Sequence, residues 1–479
     1  MLCGTILTPI VRRIAYRSGV LDHALSSRKI HGRPIPRLGG IAIVIAFYTP
    51  LLALAAFPTG VGEMFLAQRE HVIGLFGGGL AIALLGLYDD LRGAGAGRKF
   101  LVQFTVAGFL YYLGFRIESV ANPIGESIAL GWVSLPFTVL WIVGVINAMN
   151  LIDGLDGLAG GVALVAVVIT FLVSFQRGHP LMMLFSSALA GAILGFLFYN
   201  FNPASIFMGD TGSMFLGFVL ATTAIQTNQK ASTAVAVLIP TIALGLPILD
   251  TLLAIARRAV RGRPLFQADK EHIHHRLIAL GLTQRQAVLV LYGLCVLFGA
   301  VALALTYTNS RQSGLLLIVL AVVAFIFLRS IGFIRLSRMS VVDRKRNRTM
   351  QGAVRPLGRR LKQCQSVDDM WPLVIEAGNA LGATALRLHV GIPPQPGVRS
   401  FNHPLEHEGS NESWFQFPVP ASKLVQTRLE LAWSDGRRDV DSDTEIAVDM
   451  FCEYLGDALD LIRTPPPAQP RRTAIEPQA

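Results

Sequence analysis

The sequence predicts an all-α polytopic membrane protein of about ten to eleven transmembrane helices, followed by a small C-terminal α/β soluble domain. Three observations carry that expectation. Of the 479 residues 52% are hydrophobic and only 15% charged, with a mean hydropathy of +0.51, too apolar for a soluble chain of this length. Ten apolar windows approach the roughly 20 residues that a bilayer crossing takes. After residue 335 the apolar runs stop and alternating and amphipathic patterns replace them.

The windows cover 38–57, 71–88, 100–114, 132–149, 158–175, 181–199, 212–227, 234–255, 286–307 and 314–333. Residues 1–11 are apolar but too short to span. They read as the second half of an eleventh helix whose beginning is missing, as a start codon assigned too far downstream would produce. No basic stretch precedes this run and no small-residue cleavage site follows it, so it is expected to stay in the mature protein rather than act as a signal peptide.

Charge separates the two parts. Residues 1–348 hold 29 Lys and Arg against 14 Asp and Glu, whereas residues 349–479 hold 13 against 17. The basic excess lies in short loops between helices, where it sets topology instead of binding nucleic acid. Loops over Arg12 to Arg37, Asp89 to Lys99, Arg257 to Arg285 and Arg335 to Arg348 carry 23 Lys and Arg; the opposite loops carry Arg69, Arg116, Arg177, Lys230 and Arg311. By the positive-inside rule the first set is cytoplasmic. Cys3, Cys295, Cys364 and Cys452 are scattered without a CxxC spacing, so neither a disulfide framework nor a zinc site is expected.

Four units follow from these shifts: a membrane domain over 1–335, a basic juxtamembrane linker over 336–364, an α/β domain over 365–463 and a Pro-rich, disordered tail over 464–479. Within the third, SVDDMWPLVIEAGNAL has a Ser start and helical apolar spacing, ATALRLHV and RLELAW alternate like strands, and DTEIAVDMFCEYLGDALDLI is a second amphipathic helix. Its pattern resembles a GAF-like sensor fold.

Five polar stretches interrupt the apolar part, all on the cytoplasmic face: HGRPIPRLGG, YDDLRG, NAMNLIDGLDGLAGG, NFNPASIFMGDTGS and DKEHIHHRL. Polar groups kept at a membrane boundary are expensive and usually functional. Asp89 and Asp90 end an apolar helix; adjacent carboxylates there bind Mg²⁺ or take a proton from an acidic nucleophile, with a solvated helix end as the equal alternative for a lone pair. Asp153 and Asp156 stand three apart, a spacing that puts both on one side of a helical turn, although the repeated Asp-Gly also fits a plain turn. Asn147 and Asn150 add amide donors beside them. Asn200, Asn202 and Asp210 surround a Pro-containing turn, followed by small residues that bring backbone N–H groups near a phosphate. Phe207 is placed to stack on a base or to anchor at the interface. His272, His274, His275 and Arg276 follow the basic RRAVRGRP, and without an accompanying Cys they favour an anion clamp for a diphosphate over zinc. Asp250, inside an apolar helix, faces either the site or a helical partner. Carboxylates for a metal and cations for phosphates beside a membrane indicate phosphoryl transfer to a lipid phosphate, with charge neutralisation as the main catalytic device.

In order and spacing, these five motifs closely resemble the polyprenyl-phosphate N-acetylhexosamine-1-phosphate transferases, over roughly residues 5–335. The resemblance implies a multi-pass bacterial inner-membrane enzyme with its active site and C-terminal domain in the cytoplasm. It would move N-acetylhexosamine 1-phosphate from a UDP-sugar to undecaprenyl phosphate and release UMP, starting a lipid-linked surface glycan such as O-antigen or cell wall. Mg²⁺ is the implied cofactor, with Mn²⁺ as an alternative. The implied partners are the UDP-N-acetylhexosamine, undecaprenyl phosphate and membrane lipids, without nucleic acid; a homodimer is left open. Residue by residue, Asp210 would hold the metal and Asp89 or Asp90 would deprotonate or position the lipid phosphate. Asn150, Asp153, Asp156 and Asn200 would hold the nucleotide-sugar, Phe207 would stack near uracil, and His272, His274 and His275 would contact the phosphates. Arg276 completes the clamp, and Lys99 takes the place of a family lysine near the acceptor. Direct attack is expected, because a bound Mg²⁺ makes Asp210 a poor nucleophile. The HxHHR form resembles the branch using UDP-N-acetylglucosamine; the phospho-MurNAc-pentapeptide branch, with three successive histidines, is the alternative.

Two rivals come from other classes. An intramembrane aspartyl protease would use the GD of MGD with a second Asp and need neither metal nor histidines. An ion-coupled transporter would carry charges deep in its helices and inverted repeats, whereas these charges cluster at one surface.

Overall fold

The computed structural model describes residues 1–22, 34–57, 59–120, 128–228, 238–261, 272–308, 310–332, 341–391, 398–404, 413–419, 427–436, 440 and 442–462. The chain divides into two compact units, the first Met1–Ala24 with Ile30–Leu336 and the second drawn chiefly from Ser337–Ala479. His31 to Arg33, Asp269 to Glu271 and the Pro-rich tail lie outside the described residues.

The first unit contains α1 (Leu2–Ser18), β1 (Leu21–Asp22), β2 (Ile35–Pro36), α2 (Gly39–Ala56), α3 (Gly60–Ala67), α4 (Arg69–Arg92), α5 (Ala96–Tyr112), β3 (Ser119–Val120), β4 (Ile128–Ala129), α6 (Ser134–Ile152), α7 (Leu158–Gln176), α8 (Pro180–Asn200), α9 (Gly209–Asn228), α10 (Leu238–Ala243), α11 (Gly245–Arg261), α12 (Ile273–Ala279), α13 (Gln284–Ala304) and α14 (Ser310–Ser330). The strands form two antiparallel pairs, β1 with β2 and β3 with β4. Among the described residues seven helices are long and apolar enough to cross a membrane: α2, α4, α6, α7, α8, α13 and α14. The chain is a multi-pass membrane protein. Helices α1 and α5, at 17 residues each, fall just under that length.

All but one of the apolar windows coincide with a single helix. The exception is 234–255, whose described part breaks into α10 and α11. Pro247 causes the break, because it has no N–H to give to Ala243. The short apolar run at the N-terminus is also longer as a helix than its hydropathy indicates, since α1 continues through Arg12, Arg13 and Arg17 to Ser18.

Helix α9 is the central element. It packs against α4, α6, α2 and α7, and every residue from Thr211 to Thr227 is buried. Small and hydroxylated residues make this burial possible. Thr222, Thr223 and Thr227 donate their hydroxyls to Phe218, Val219 and Thr223 carbonyls one turn back, at 2.8, 2.6 and 2.8 Å, so no hydroxyl is left unsatisfied in an apolar setting. Where α2 crosses α9, a Cβ on Gly40 would lie 2.1 Å from the Gly212 nitrogen. Only a glycine fits there.

The second unit contains α15 (Val341–Leu361), α16 (Val367–Ala380), β5 (Ala385–Gly391), β6 (Val398–Pro404), β7 (Ser413–Pro418), β8 (Arg428–Trp433) and α17 (Ser442–Ile462). Its strands form one antiparallel sheet in the order β6-β5-β8-β7. Ser366 and Asp369 form a reciprocal capping box at the start of α16. The stretch expected to be a linker over 336–364 is instead largely α15. Met350, Val354, Leu357 and Leu361 are buried with Phe451 and Leu455 of α17 in the second core. Their spacing is one helical face, hidden in the sequence by the arginines between them.

Candidate active site

Successive residues of a helix point about 100° apart, so the last turn of α4 sends Asp89 and Asp90 in different directions. Asp90 turns inward and is 5% exposed. Its Oδ1 accepts the Asp210 N–H at 2.9 Å, and its Oδ2 accepts the Thr211 N–H at 3.0 Å and the Thr211 hydroxyl at 2.6 Å. Asp90 therefore caps α9 from a neighbouring helix, satisfying two N–H groups that the helix itself leaves unpaired. Arg37 donates to the Asp90 carbonyl at 2.9 Å. Gly209 enters α9 at φ +66, with the Asp90 carboxylate 2.6 Å from where a Cβ would stand.

Asp89 faces the other way. Its Oδ1 accepts the Ala94 N–H, and its Oδ2 lies 2.7 Å from the Lys99 ammonium. The same ammonium lies 2.5 Å from Asp210 Oδ2. Lys99, from the first turns of α5, thus bridges a carboxylate at the end of α4 and one at the start of α9. The two aspartates that are adjacent in sequence hold the first turn of α9 in different ways: Asp90 by its backbone, Asp89 through Lys99.

Between α6 and α7 the chain makes a turn, not a helix, over Asp153 to Gly157. The two carboxylates expected on one side of a helical turn thus lie in a non-helical turn. Asp156 Oδ2 accepts from Asn202 Nδ2 and from the Ala204 N–H, both at 2.9 Å. Asn200 is 3% exposed, receives the Gly157 N–H at 3.2 Å and donates to the Ile206 carbonyl at 2.9 Å. Asn200 and Asp156 therefore join two loops, and each end of the Asn200 amide meets backbone. Asn150 donates to Ser213 on α9 at 3.0 Å, and Asn147 to Gln103 on α5 at 2.7 Å. Phe207 is partly buried, and its backbone pairs with Pro36 and Gly39 at 2.7 and 2.9 Å.

Asp153 sits partly exposed at the end of α6. Burial first, then the nearby Asp210, Asp90 and Asp156 carboxylates, pushes its carboxyl up to about 8. The neighbourhood holds more negative charge than Lys99 offsets.

The histidines lie on α12 and over the same turn. His274 is 2% exposed, and a Cβ on Gly154 would stand 2.5 Å from its Nε2. Among the described residues neither ring nitrogen of His274 has a hydrogen-bond partner. Burial, with His275 beside it, pushes it down to about 3, so the ring is neutral at physiological pH. His272 is tied instead to Asp250, its Nδ1 2.9 Å from Oδ2. Arg276 donates one N–H to the Gly332 carbonyl at 3.0 Å, so that part of its fork braces the chain just after α14.

Sequence reasoning did not single out Thr211, Ser213, Gln103 or Tyr292, whose hydroxyl donates to the Gly157 carbonyl at 2.6 Å. Thr211 and Ser213 stand within the MGDTGS stretch already marked, whereas Tyr292 has no local signal inside an apolar helix.

Among the described residues no three His, Cys, Asp or Glu side chains gather as a metal-binding set. Mg²⁺ needs less, since it keeps several waters and takes one or two carboxylates plus substrate phosphates. Asp210 and Asp89 already flank one cation, the Lys99 ammonium, and the surplus of negative charge around Asp153 is what a hard divalent ion would relieve. This donor set fits Mg²⁺.

The family described as Glycosyl transferase family 4 matches residues 72–228, the span from α4 to the end of α9. A Bacillus subtilis (strain 168) protein named "Probable undecaprenyl-phosphate N-acetylglucosaminyl 1-phosphate transferase" is 38% identical over 306 residues, which is 64% of this chain and 82% of that protein. The "Decaprenyl-phosphate N-acetylglucosaminephosphotransferase" of Mycolicibacterium smegmatis is 37% identical over 338 residues, 66% of this chain and 82% of that one. The Staphylococcus aureus (strain JH9) "Phospho-N-acetylmuramoyl-pentapeptide-transferase" is 29% identical over 314 residues, 62% of this chain and 93% of that one.

Proposed function

Because this chain belongs to glycosyl transferase family 4, among the polyprenyl-phosphate N-acetylhexosamine-1-phosphate transferases, we propose that it moves N-acetylglucosamine 1-phosphate from UDP-N-acetylglucosamine to undecaprenyl phosphate. The observation that carries this reading is the Lys99 ammonium held between Asp89 and Asp210, beside the Asp153 turn and the buried His274. In the reaction an oxygen of the acceptor phosphate attacks the sugar-bearing phosphorus, and the bond from that phosphorus to the bridging oxygen breaks to release UMP.

The residues divide the work. Asp90 and Thr211 fix the first turn of α9 and so place Asp210. Asp89, held by Ala94 and Lys99, is the carboxylate placed to position the acceptor phosphate or take its proton. Lys99 offers positive charge to the phosphates as the bond order shifts. Neutral His274 has an N–H to donate to a donor phosphate oxygen, and the Asp153 to Gly157 turn borders the same space. Asp210, with Asp89 adjacent, would hold Mg²⁺, or Mn²⁺ in its place, which when bound supplies charge neutralisation at the diphosphate.

A UDP-N-acetylglucosamine donor is preferred to a UDP-MurNAc-pentapeptide because Ile273 interrupts the histidine run; it is 1% exposed, an interior packing residue. The Lys and Arg excess in the loops on the motif side supports a site that faces the cytoplasm, as an enzyme of a bacterial inner membrane would have it.

The test is UMP release by the purified protein with undecaprenyl phosphate, Mg²⁺ and a panel of UDP-N-acetylhexosamines. Release with UDP-N-acetylglucosamine, stopped by EDTA and restored by Mg²⁺, is the expected result. Release that EDTA leaves untouched would remove the metal from the reading, and no release with any donor would return the chain to the protease and transporter alternatives.

A further inference from the structure

Asp250 is a carboxylate inside an apolar helix, α11, that the chemistry above does not use. It is 3% exposed, and an ionised carboxylate there is costly unless each oxygen is paired. Both are paired, and with the same short helix: Oδ2 lies 2.9 Å from His272 Nδ1, and Oδ1 accepts the Ile273 N–H at 3.0 Å. One group thus fixes the first turn of α12 and one ring of its N-cap residue.

The constraint passes along the stack. The His272 ring lies parallel to His274, centroids 5.7 Å apart and planes 7° apart, and His274 is 4.3 Å from His275. His272 is itself only 4% exposed. A carboxylate at Nδ1 holds the proton on that nitrogen and the ring in one orientation. His274, with both nitrogens unpaired among the described residues and lying over the Gly154 turn, is the ring left to meet a ligand.

Resting on the proposed reaction, we infer that Asp250 is a positioning residue which acts through His272 to hold the imidazole stack, so that His274, not His272, meets the diphosphate of the donor. His272 is then a structural intermediary. The three histidines, which sequence treats as equivalent, have different tasks.

The experiment is a double-mutant cycle on the full chain, with kcat and donor KM read from UMP release for wild type, Asp250→Asn, His272→Gln and the double variant. Asp250→Asn keeps an acceptor oxygen for Ile273 and is expected to lower kcat about 10- to 100-fold. Adding it to His272→Gln should cost less than about twofold, because the group it acts through is gone. Asp250→Glu should recover part of the loss. An equal cost in both backgrounds, or a wild-type kcat in Asp250→Asn, overturns the inference. Solid-state NMR of ¹⁵N-histidine-labelled wild type decides the pairing without turnover: the resonance lost in His272→Gln should report a protonated Nδ1. An unprotonated Nδ1 there overturns the inference even in an active enzyme. A wild-type protein that releases no UMP but shows the protonated Nδ1 would fail the proposed reaction while leaving the pairing in place.

Discussion

Replacing Asp90 with alanine should cost the protein its stability before it costs the protein any chemistry. The carboxylate is 5% exposed and accepts three hydrogen bonds, two from the backbone of α9 and one from Thr211 Oγ1. Truncation leaves three donors at a buried helix end with no acceptor, at roughly 1–3 kcal/mol for each group left unpaired. Partial relaxation and the free rotation of the hydroxyl reduce the sum, so a net loss of about 3–5 kcal/mol is expected, near the upper end for single substitutions. For a unit of this size that corresponds to a fall in the unfolding midpoint of roughly 5–15 °C. The assay is thermal unfolding of purified wild type, Asp90→Ala and Asp89→Asn in one detergent, with UMP release measured on the same preparations well below the transition. Asp89→Asn should unfold within about 2 °C of wild type yet lose at least about a hundredfold in turnover. Should Asp90→Ala unfold at the wild-type midpoint and be inactive, the cap assignment is wrong and Asp90 belongs with the reacting groups.

Other outcomes can be checked alongside. Asp210→Asn should lose turnover by about 10²- to 10³-fold without loss of yield, measured as UMP release per folded protein; near wild-type activity would remove Asp210 from the mechanism. Asp153 is raised to about 8, above its unfolded value, so the folded protein holds a proton that the unfolded chain has released. Its contribution therefore falls as pH rises from about 4 to 8 and is constant above. Asp153→Asn should raise the unfolding midpoint at pH 8 and flatten its slope over that range, and an unchanged slope would contradict the assignment. Gly40→Ala, which places a Cβ against the Gly212 backbone, should sharply reduce the monodisperse fraction in size-exclusion chromatography. A chain ending at Leu336 should remain monodisperse, whereas one ending at Gln365 keeps α15 with Met350, Val354, Leu357 and Leu361 uncovered and should aggregate.

The membrane part was legible because a crossing helix needs length and apolarity, and both are read directly from composition. The gathering of motifs on one side followed from counting crossings. Pairings made across the fold were not legible. Nothing in the letters DD says that Asp90 caps a helix 120 residues away while Asp89 meets a lysine, since the difference is about 100° of helical rotation. Asp250 stood out by its polarity, but its partner could be found only after the break at Pro247 and the return through α12 had brought His272 to it. In α15 the sign was present and outweighed: apolar residues at one-turn spacing lie among so many arginines that mean composition indicates a linker.

The ion pair at the centre of the site joins two helices with different surroundings. Asp210 stands on α9, whose residues Thr211 to Thr227 are sealed inside the protein. Lys99 stands on α5, which exposes Leu101, Phe104, Phe109 and Tyr112 by 69, 47, 52 and 73%. A change in bilayer thickness is felt by helices that touch lipid, through tilt, and so acts on α5 while α9 keeps its place. Any tilt of α5 against α9 would change the span between ammonium and carboxylate. Turnover in vesicles of graded acyl length, at constant acceptor, should pass through an optimum set by the helix that carries Lys99.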